Sequence, residues 1–269
     1  MQRPLLMRYL PERLRLSAYW RLYHHRAARF PELFESAALV LAPGRSMHDL
    51  VPGDVISGNI AFCGIYEAGL SRRLLAHARA GGVLLDVGAN MGYFSLLWAG
   101  AHPQNRVIAL EASPGPARLL ANNLRRNGLE GQVQLVVAAA SDAAGTLRFA
   151  VGPADQTGWG GITKADGAHG EVIEVAAVTL DELLDELLPA TPVQVMKMDV
   201  EGAEALVLAG SRRLLAERGI ETIYYECNRE RLGLLGCTPE DIHRPLRDCG
   251  YACEPLDRSG FEWMAHRPH

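Results

Sequence analysis

The chain reads as a doubly wound α/β domain whose mostly parallel sheet closes with an antiparallel C-terminal hairpin, preceded by a small helical and short-strand extension. Three observations predict this. Short apolar runs recur from Val83 onward, as in strands covered by helices on both faces. Helical patterns with recognisable starts separate those runs. The last two runs are joined by Asp257-Arg258-Ser259-Gly260, a hairpin turn signal.

The core strands are predicted over 83–87, 106–110, 133–138, 193–198 and 220–225. Ser113-Pro114 and Thr238-Pro239 supply a cap and a first-turn proline to the helices they open, and Thr179 with Glu182 forms a capping box. Segments 146–151 and 171–178 read as extra strands flanking a Gly-rich loop, and 251–256 with 261–266 as the final hairpin. Upstream, residues 1–35 suggest one or two basic amphipathic helices. Residues 38–41 and 54–60, punctuated by Pro43-Gly44 and Pro52-Gly53, suggest short strands and turns. The expected division is therefore an extension over 1–66 and a main domain over 67–269.

Length and composition suit one large domain with an appendage: 269 residues, 48% apolar and 22% charged. A net charge of −4 gives no general attraction to nucleic acid, which argues against a nucleic-acid partner. The first thirty residues depart from that balance, with seven arginines against the single acid Glu12. The five cysteines are odd in number, scattered and free of any C-x-x-C pair, as expected of reduced thiols in a cytoplasmic protein. No apolar run is long enough for a signal peptide or stable membrane insertion.

The most informative stretch is LLDVGANMGY, residues 84–93. An apolar strand runs into Gly88 and Gly92, and a helical pattern follows, which places a ligand crevice at the carboxyl end of the strand. Asp86 at that strand end suits a cationic amino-acid moiety. Glu111 ends the next strand in VIALEAS, where a carboxylate can accept both hydroxyls of a ribose. Asp142 follows the third strand near an adenine amino group, or simply starts a turn. Together these point to a nucleoside ligand. The dinucleotide pattern G-x-G-x-x-G fails because Asn90 holds the second glycine position. Neither lysine belongs to a Tyr-x-x-x-Lys pair, and no phosphate-binding G-x-x-x-x-G-K-[ST] loop exists.

Three blocks, DVGANMGYFSL from Asp86, VTLDEL from Val178 and KMDVEGAEALVLAG from Lys197, resemble the FkbM family of S-adenosylmethionine-dependent methyltransferases over roughly 64–256. The resemblance implies a class I methyltransferase-like (Rossmann-like) sheet and methyl transfer to oxygen, typically a hydroxyl of a secondary metabolite or glycan. It implies cofactor roles for Asp86, Gly88, Asn90, Gly92 and Glu111, and sets the stretch from Lys197 to Glu204 facing the transferred methyl group. Tyr66 and Glu67 are expected over the cofactor mouth.

Displacement at a sulfonium needs alignment of nucleophile, methyl and sulfur, and then somewhere for the hydroxyl proton to go. Alternation along the fourth strand puts Lys197 and Asp199 on one side. Asp199 is the leading base or metal ligand, with Glu226 at the neighbouring strand end. Asp199, Glu226 and Asn228 could also hold magnesium through hard oxygen ligands. Glu201 and Glu204 fit the site or, equally, the dipole of a first helical turn. His169 could swing over the site, Trp159 among glycines suggests a lid, and His243 suggests a solvated or capping role. The expected partner is a small hydroxylated acceptor, and a homodimer is compatible with the sequence. N-methylation, a dinucleotide-dependent oxidoreductase and a non-catalytic nucleoside-binding domain are the competing readings.

Overall fold

The computed structural model describes residues 3–153, 155–164 and 171–268, without the side chain of Arg218. Its strands in chain order are β1 (Ser36–Ala38), β2 (Ser46–His48), β3 (Val83–Val87), β4 (Arg106–Leu110), β5 (Val133–Val136), β6 (Ala139–Ala140), β7 (Gly145–Ala150), β8 (Gly161–Ile162), β9 (Val172–Val178), β10 (Val193–Met198), β11 (Ile220–Glu226), β12 (Ala252–Pro255) and β13 (Glu262–His266). A seven-stranded sheet runs β12-β13-β11-β10-β3-β4-β5. The five strands from β11 to β5 are parallel, and β13 and β12 close the other edge antiparallel. The order reverses between β3 and β10, which opens the crevice where sheets of this kind take ligands.

The sheet sits between two apolar layers because its strands alternate sides. Leu84 and Val195 join one buried cluster with Trp98, Val107 and Tyr224, while Leu85, Val87, Met196 and Ile223 join the other. All five residues of β3 are buried, so a period-two polar face is absent from its sequence. The class I methyltransferase-like fold expected from the sequence is the fold observed.

Two upstream expectations are corrected. Residues 54–60, expected as a strand, lie in a helix, Val55–Cys63, for local reasons. Asp54 accepts a hydrogen bond from the Ser57 N–H (2.7 Å), and Gly64 in the left-handed region (φ 73°) ends the helix. Of residues 38–41 only Ala38 is in a strand, as the last residue of β1, which starts two residues earlier and pairs with β2. The expected strand over 133–138 is also shorter. It ends at Val136 in the main sheet, and just beyond the expected end Ala139–Ala140 pair with β9 in a second, four-stranded sheet, β6-β9-β7-β8. The expected extra strands are therefore the body of that second sheet.

The N-terminal residues are helical over Leu5–Tyr9 and over Glu12–Arg29, the second run passing from α to π to 3-10 turns. Pro4 and Pro11 precede these two helical starts, and Pro31 opens the next. Met7, Tyr19, Leu33 and Phe34 are buried in the same cluster as Trp98 and Leu84. Phe62 is the hub: its ring lies 5.0 Å from Tyr19, 5.4 Å from Tyr23, 5.5 Å from Phe30 and 6.2 Å from Phe34. Truncating a wholly buried aromatic leaves a cavity costing about 3–5 kcal/mol. Phe62→Ala should lower the unfolding free energy by about that amount in urea while retaining a single transition. A separate early transition for the N-terminal residues would show that Phe62 does not bind them to the sheet.

Candidate active site

A cavity of about 230 Å³ opens at the carboxyl ends of β3, β4, β10 and β11. Its floor is the turn after β3. The Gly88 and Ala89 N–H groups donate to the Leu110 carbonyl (3.0 and 2.9 Å), and the Asp199 N–H donates to the Val87 carbonyl (3.1 Å). Gly88 has φ 77°, and a Cβ there would run into the Asp199 carbonyl oxygen. At Gly92 (φ 89°) a Cβ would press on Leu120. The sequence reading gave these glycines to close approach of a ligand. The structure also brings the chain itself close at both, and Gly88 lines the cavity while Gly92 does not.

Lys197 lies at the centre, its side chain 4% exposed. It stands beside Asp86 in the β10–β3 register. Its Nζ donates to the Gly88 carbonyl (2.8 Å), reaches Asp199 Oδ2 at 3.3 Å and Asp86 Oδ1 at 3.8 Å, and sits 5.4 Å from the Phe94 ring centre. Burial alone would strip its proton, but Asp199, Asp86 and Glu67 outweigh burial and push its pKa up, so it stays charged. Asp86 is fully buried and accepts from Ser95 Oγ (2.6 Å). It therefore acts on the cavity only through Lys197 and is not part of the lining.

Glu111 is the second anchor. Its Oε2 accepts from the Asn90 N–H and its Oε1 from the Ser113 N–H, both at 2.8 Å. Burial raises its pKa to about 7, against the pull of those two donors. Each oxygen keeps a further lone pair for a ligand hydroxyl. Two polar atoms in the same lining, Asn90 Oδ1 and Thr157 Oγ1, are buried without a hydrogen-bond partner.

Acids crowd the other end. Asp199, Glu201 and Glu226 line the cavity. Glu226 is pushed well above the carboxylate range by burial, then by Asp199, Glu67 and Glu201. Glu201 pairs with Arg231 (3.2 Å) and is raised to about 7 by burial and Asp199. Glu67, raised to about 7 for the same two reasons, borders a smaller adjoining hollow with Lys197, Asp199 and Glu226. Glu67, Asn90 and Glu201 have positive φ (40°, 49° and 55°), a conformation costing about 1–3 kcal/mol each in a non-glycine residue. Three strained residues thus converge on one site.

The structure thus gathers Tyr66, Gly88, Asn90, Glu111, Lys197, Asp199, Glu201 and Glu226 around one space. Other expected residues stand apart. Asp142 is exposed and accepts from Ser141 Oγ (3.0 Å), the turn role that was its alternative. Glu204 is buried and accepts from the Val200 and Gly202 N–H groups (3.2 and 3.4 Å), satisfying the turn that opens its helix. Asn228 caps helix Arg229–Leu234 by accepting from the Arg231 N–H (3.2 Å) and is not among the residues lining the cavity. Among the described residues no three His, Cys, Asp or Glu side chains converge as a ligand set, and the expected magnesium site finds no support. His243 is a core residue rather than a solvated or capping one: it is buried, 3.0 Å from the Tyr225 hydroxyl and 4.3 Å between ring centres from Trp263. His169 lies outside the described residues.

Two parts of the wall escaped the sequence reading. Asp54 to Ile56 line the cavity from the start of the misread helix. Its signal was a cap residue followed by apolar residues at helical spacing. Phe149 and Ile162 enter from the second sheet, with no sequence signal beyond strand propensity. The Gly-rich loop forms part of the wall: Thr157 N–H donates to Asp54 Oδ1 (3.0 Å) and Gln156 Nε2 to the Gly53 carbonyl (3.1 Å). Trp159 lines the cavity while 57% exposed.

Part of the chain is similar to known proteins. Residues 86–253, more than half of the chain, match the methyltransferase FkbM domain. The chain is 34% identical over 160 residues to 31-O-demethyl-FK506 methyltransferase FkbM of Streptomyces tacrolimicus, covering 49% of this chain and 60% of that protein. It is 42% identical over 84 residues to the catechol O-methyltransferase of Mycobacterium tuberculosis, covering 30% and 37% respectively. The matches thus span less than two thirds of these relatives. Among solved structures it is similar to precorrin-6y C5,15-methyltransferase from Geobacter metallireducens, with a TM-score of 0.45 and 17% identity over 76% of this chain and 90% of that one. The matched region begins at Asp86, runs through Glu111, Lys197 and Glu226, and places the chain in the FkbM methyltransferase family.

Proposed function

We propose that the chain is an S-adenosylmethionine-dependent O-methyltransferase acting on a hydroxyl of a small molecule. The observation that carries this reading is the pairing, within one cavity, of a diol-accepting carboxylate (Glu111) with an acidic end around Lys197. Glu111 and the unpartnered Asn90 and Thr157 oxygens suit the hydroxyl and amino donors of an adenosine, and Phe149 with Ala138–140 suits its apolar faces. When bound, S-adenosylmethionine supplies a methyl group on positively charged sulfur. The surplus of carboxylates over Lys197 and Arg231 favours a cation there and disfavours an anionic acceptor.

The chain's own residues then have an acceptor to orient and a proton to receive. Lys197 fixes Asp199 at 3.3 Å and ties it to the turn after β3, so the Asp199 carboxylate is held rather than free to rotate. Asp199 accepts the hydrogen bond and then the proton of the acceptor hydroxyl, while Glu226, whose raised pKa keeps it protonated near neutrality, donates a hydrogen bond within the cluster. The loop bearing Trp159 excludes water from its side of the cavity. The relatives named for FK506 and catechol O-methylation support oxygen as the acceptor atom.

Titration should give binding of S-adenosylhomocysteine and none of NADH; the reverse pattern overturns the reading. With radiolabelled S-adenosylmethionine and hydroxylated acceptors, catechol among them, Asp199→Asn should hold S-adenosylhomocysteine affinity yet lose about 10²–10⁴-fold in turnover. Unimpaired turnover would remove Asp199 from the chemistry. Glu111 accepts two hydroxyls only when ionised, and its pKa of about 7 makes that form scarce in acid. S-adenosylhomocysteine affinity should therefore weaken as pH falls below about 7, approaching tenfold per unit. Glu67, Glu201 and Glu204 titrate in the same range, so Glu111→Gln is the control. It should bind weakly and lose most of that slope; an unchanged slope assigns it to another acid.

A further inference from the structure

The N-terminal turns bury one side and leave the other in solvent. Among the described residues thirteen large hydrophobic side chains are exposed, and seven of them fall within residues 5–22: Leu5, Leu6, Tyr9, Leu14, Leu16, Trp20 and Leu22. Leu5 is 66% exposed and Tyr9 78%, and they stand one helical turn apart, as do Leu16 and Trp20. Chance scatter over the surface would not put half of the set into eighteen residues, and a cluster of this kind marks an interaction site.

Arginines are set among these side chains. Arg8, Arg13 and Arg21 are exposed, as are Arg26 and Arg29 just beyond, and among the described residues no carboxylate pairs with any of them. The single acid of the segment, Glu12, is turned to Arg72. The rest of the chain carries the net acid of the molecule, so the charge is polarised, with its positive end on this face. We propose that residues 5–22 form a docking face for an anionic lipid bilayer, lying in the interface rather than crossing it.

The occupant follows from the two chemistries together. Exposed aliphatic and aromatic side chains gain by entering the acyl boundary, and the arginines gain at anionic headgroups. A second copy on the same face would set these arginines against their own counterparts, which a two-fold contact cannot avoid. No described helix is long and apolar enough to cross a membrane. The face is rigidly held. Met7 and Tyr19 are buried beneath it, and Arg3 donates to the Ala61 carbonyl (3.0 Å) and Arg15 to the Cys63 carbonyl (3.4 Å). The tyrosine underside rests on helix Val55–Cys63, whose first turn lines the cavity. A docked bilayer would thus lie one helix away from the opening, within reach of an apolar acceptor.

The test is co-sedimentation of the full chain with vesicles of phosphatidylcholine alone and of phosphatidylcholine with about one third phosphatidylglycerol. Binding should be confined to the anionic vesicles and fall with added salt. It should weaken about tenfold or more in Leu5→Ser/Leu6→Ser/Tyr9→Ser and likewise in Arg13→Glu/Arg21→Glu, both checked for an unshifted thermal transition. No binding to either vesicle overturns the proposal, as does binding that both variants retain. A dimer in solution that the triple serine variant dissociates, without vesicle binding, overturns it in favour of a second copy.

Discussion

A buried ammonium holds this site together. Lys197 is removed from water on all sides, which is tolerable only because two carboxylates and a backbone carbonyl surround it. Those partners come from the two strands that flank the crevice, Asp86 from β3 and Asp199 just past β10. The ion cluster therefore works as a clamp between the halves of the sheet at the point where their order reverses. Removing one partner would leave an uncompensated buried charge, a worse outcome than losing the whole group. The backbone reinforces the clamp, since the space a side chain would need at Gly88 is filled by the Asp199 carbonyl.

The same constraint explains the unusual protonation of the surroundings. One lysine and one arginine face five acids: Glu67, Asp86, Asp199, Glu201 and Glu226. Ionising all five together would be expensive in a buried setting, so burial and mutual repulsion push several of them towards or past neutrality. A cluster in that condition can take up a proton without large rearrangement, and it draws positive charge. Strain at Glu67, Asn90 and Glu201 fits the same picture, with local cost held in place by the surrounding packing.

The central sheet was legible because its strands obey a simple rule: wholly buried strands are unbroken apolar runs, and four of the five expected core strands have the expected start and end within a residue. Glu111, Lys197 and Asp199 were legible because strand ends in such a sheet point at the crevice. What escaped was non-local. Nothing near Asp86 says that Lys197 screens it from the cavity, and nothing near Asn228 says that its side chain is spent on a helix cap. Helix Val55–Cys63 was misread because Val55, Ile56 and Ile60 carry strand propensity, which packing under the N-terminal aromatics overrides. Phe149 and Ile162 reach the cavity only through the second sheet, whose placement depends on pairing distant in the chain.

That second sheet leaves the main fold and returns to it at one spot. Ala139 and Ala140 at its outset lie against Ala177 and Val178 at its close. Everything between is an excursion tied off at its base, so its length and contents can change without disturbing the order of the parallel strands. The excursion also carries one wall of the cavity. Exchanging this module alone would reshape that wall and leave the clamp and Glu111 in place.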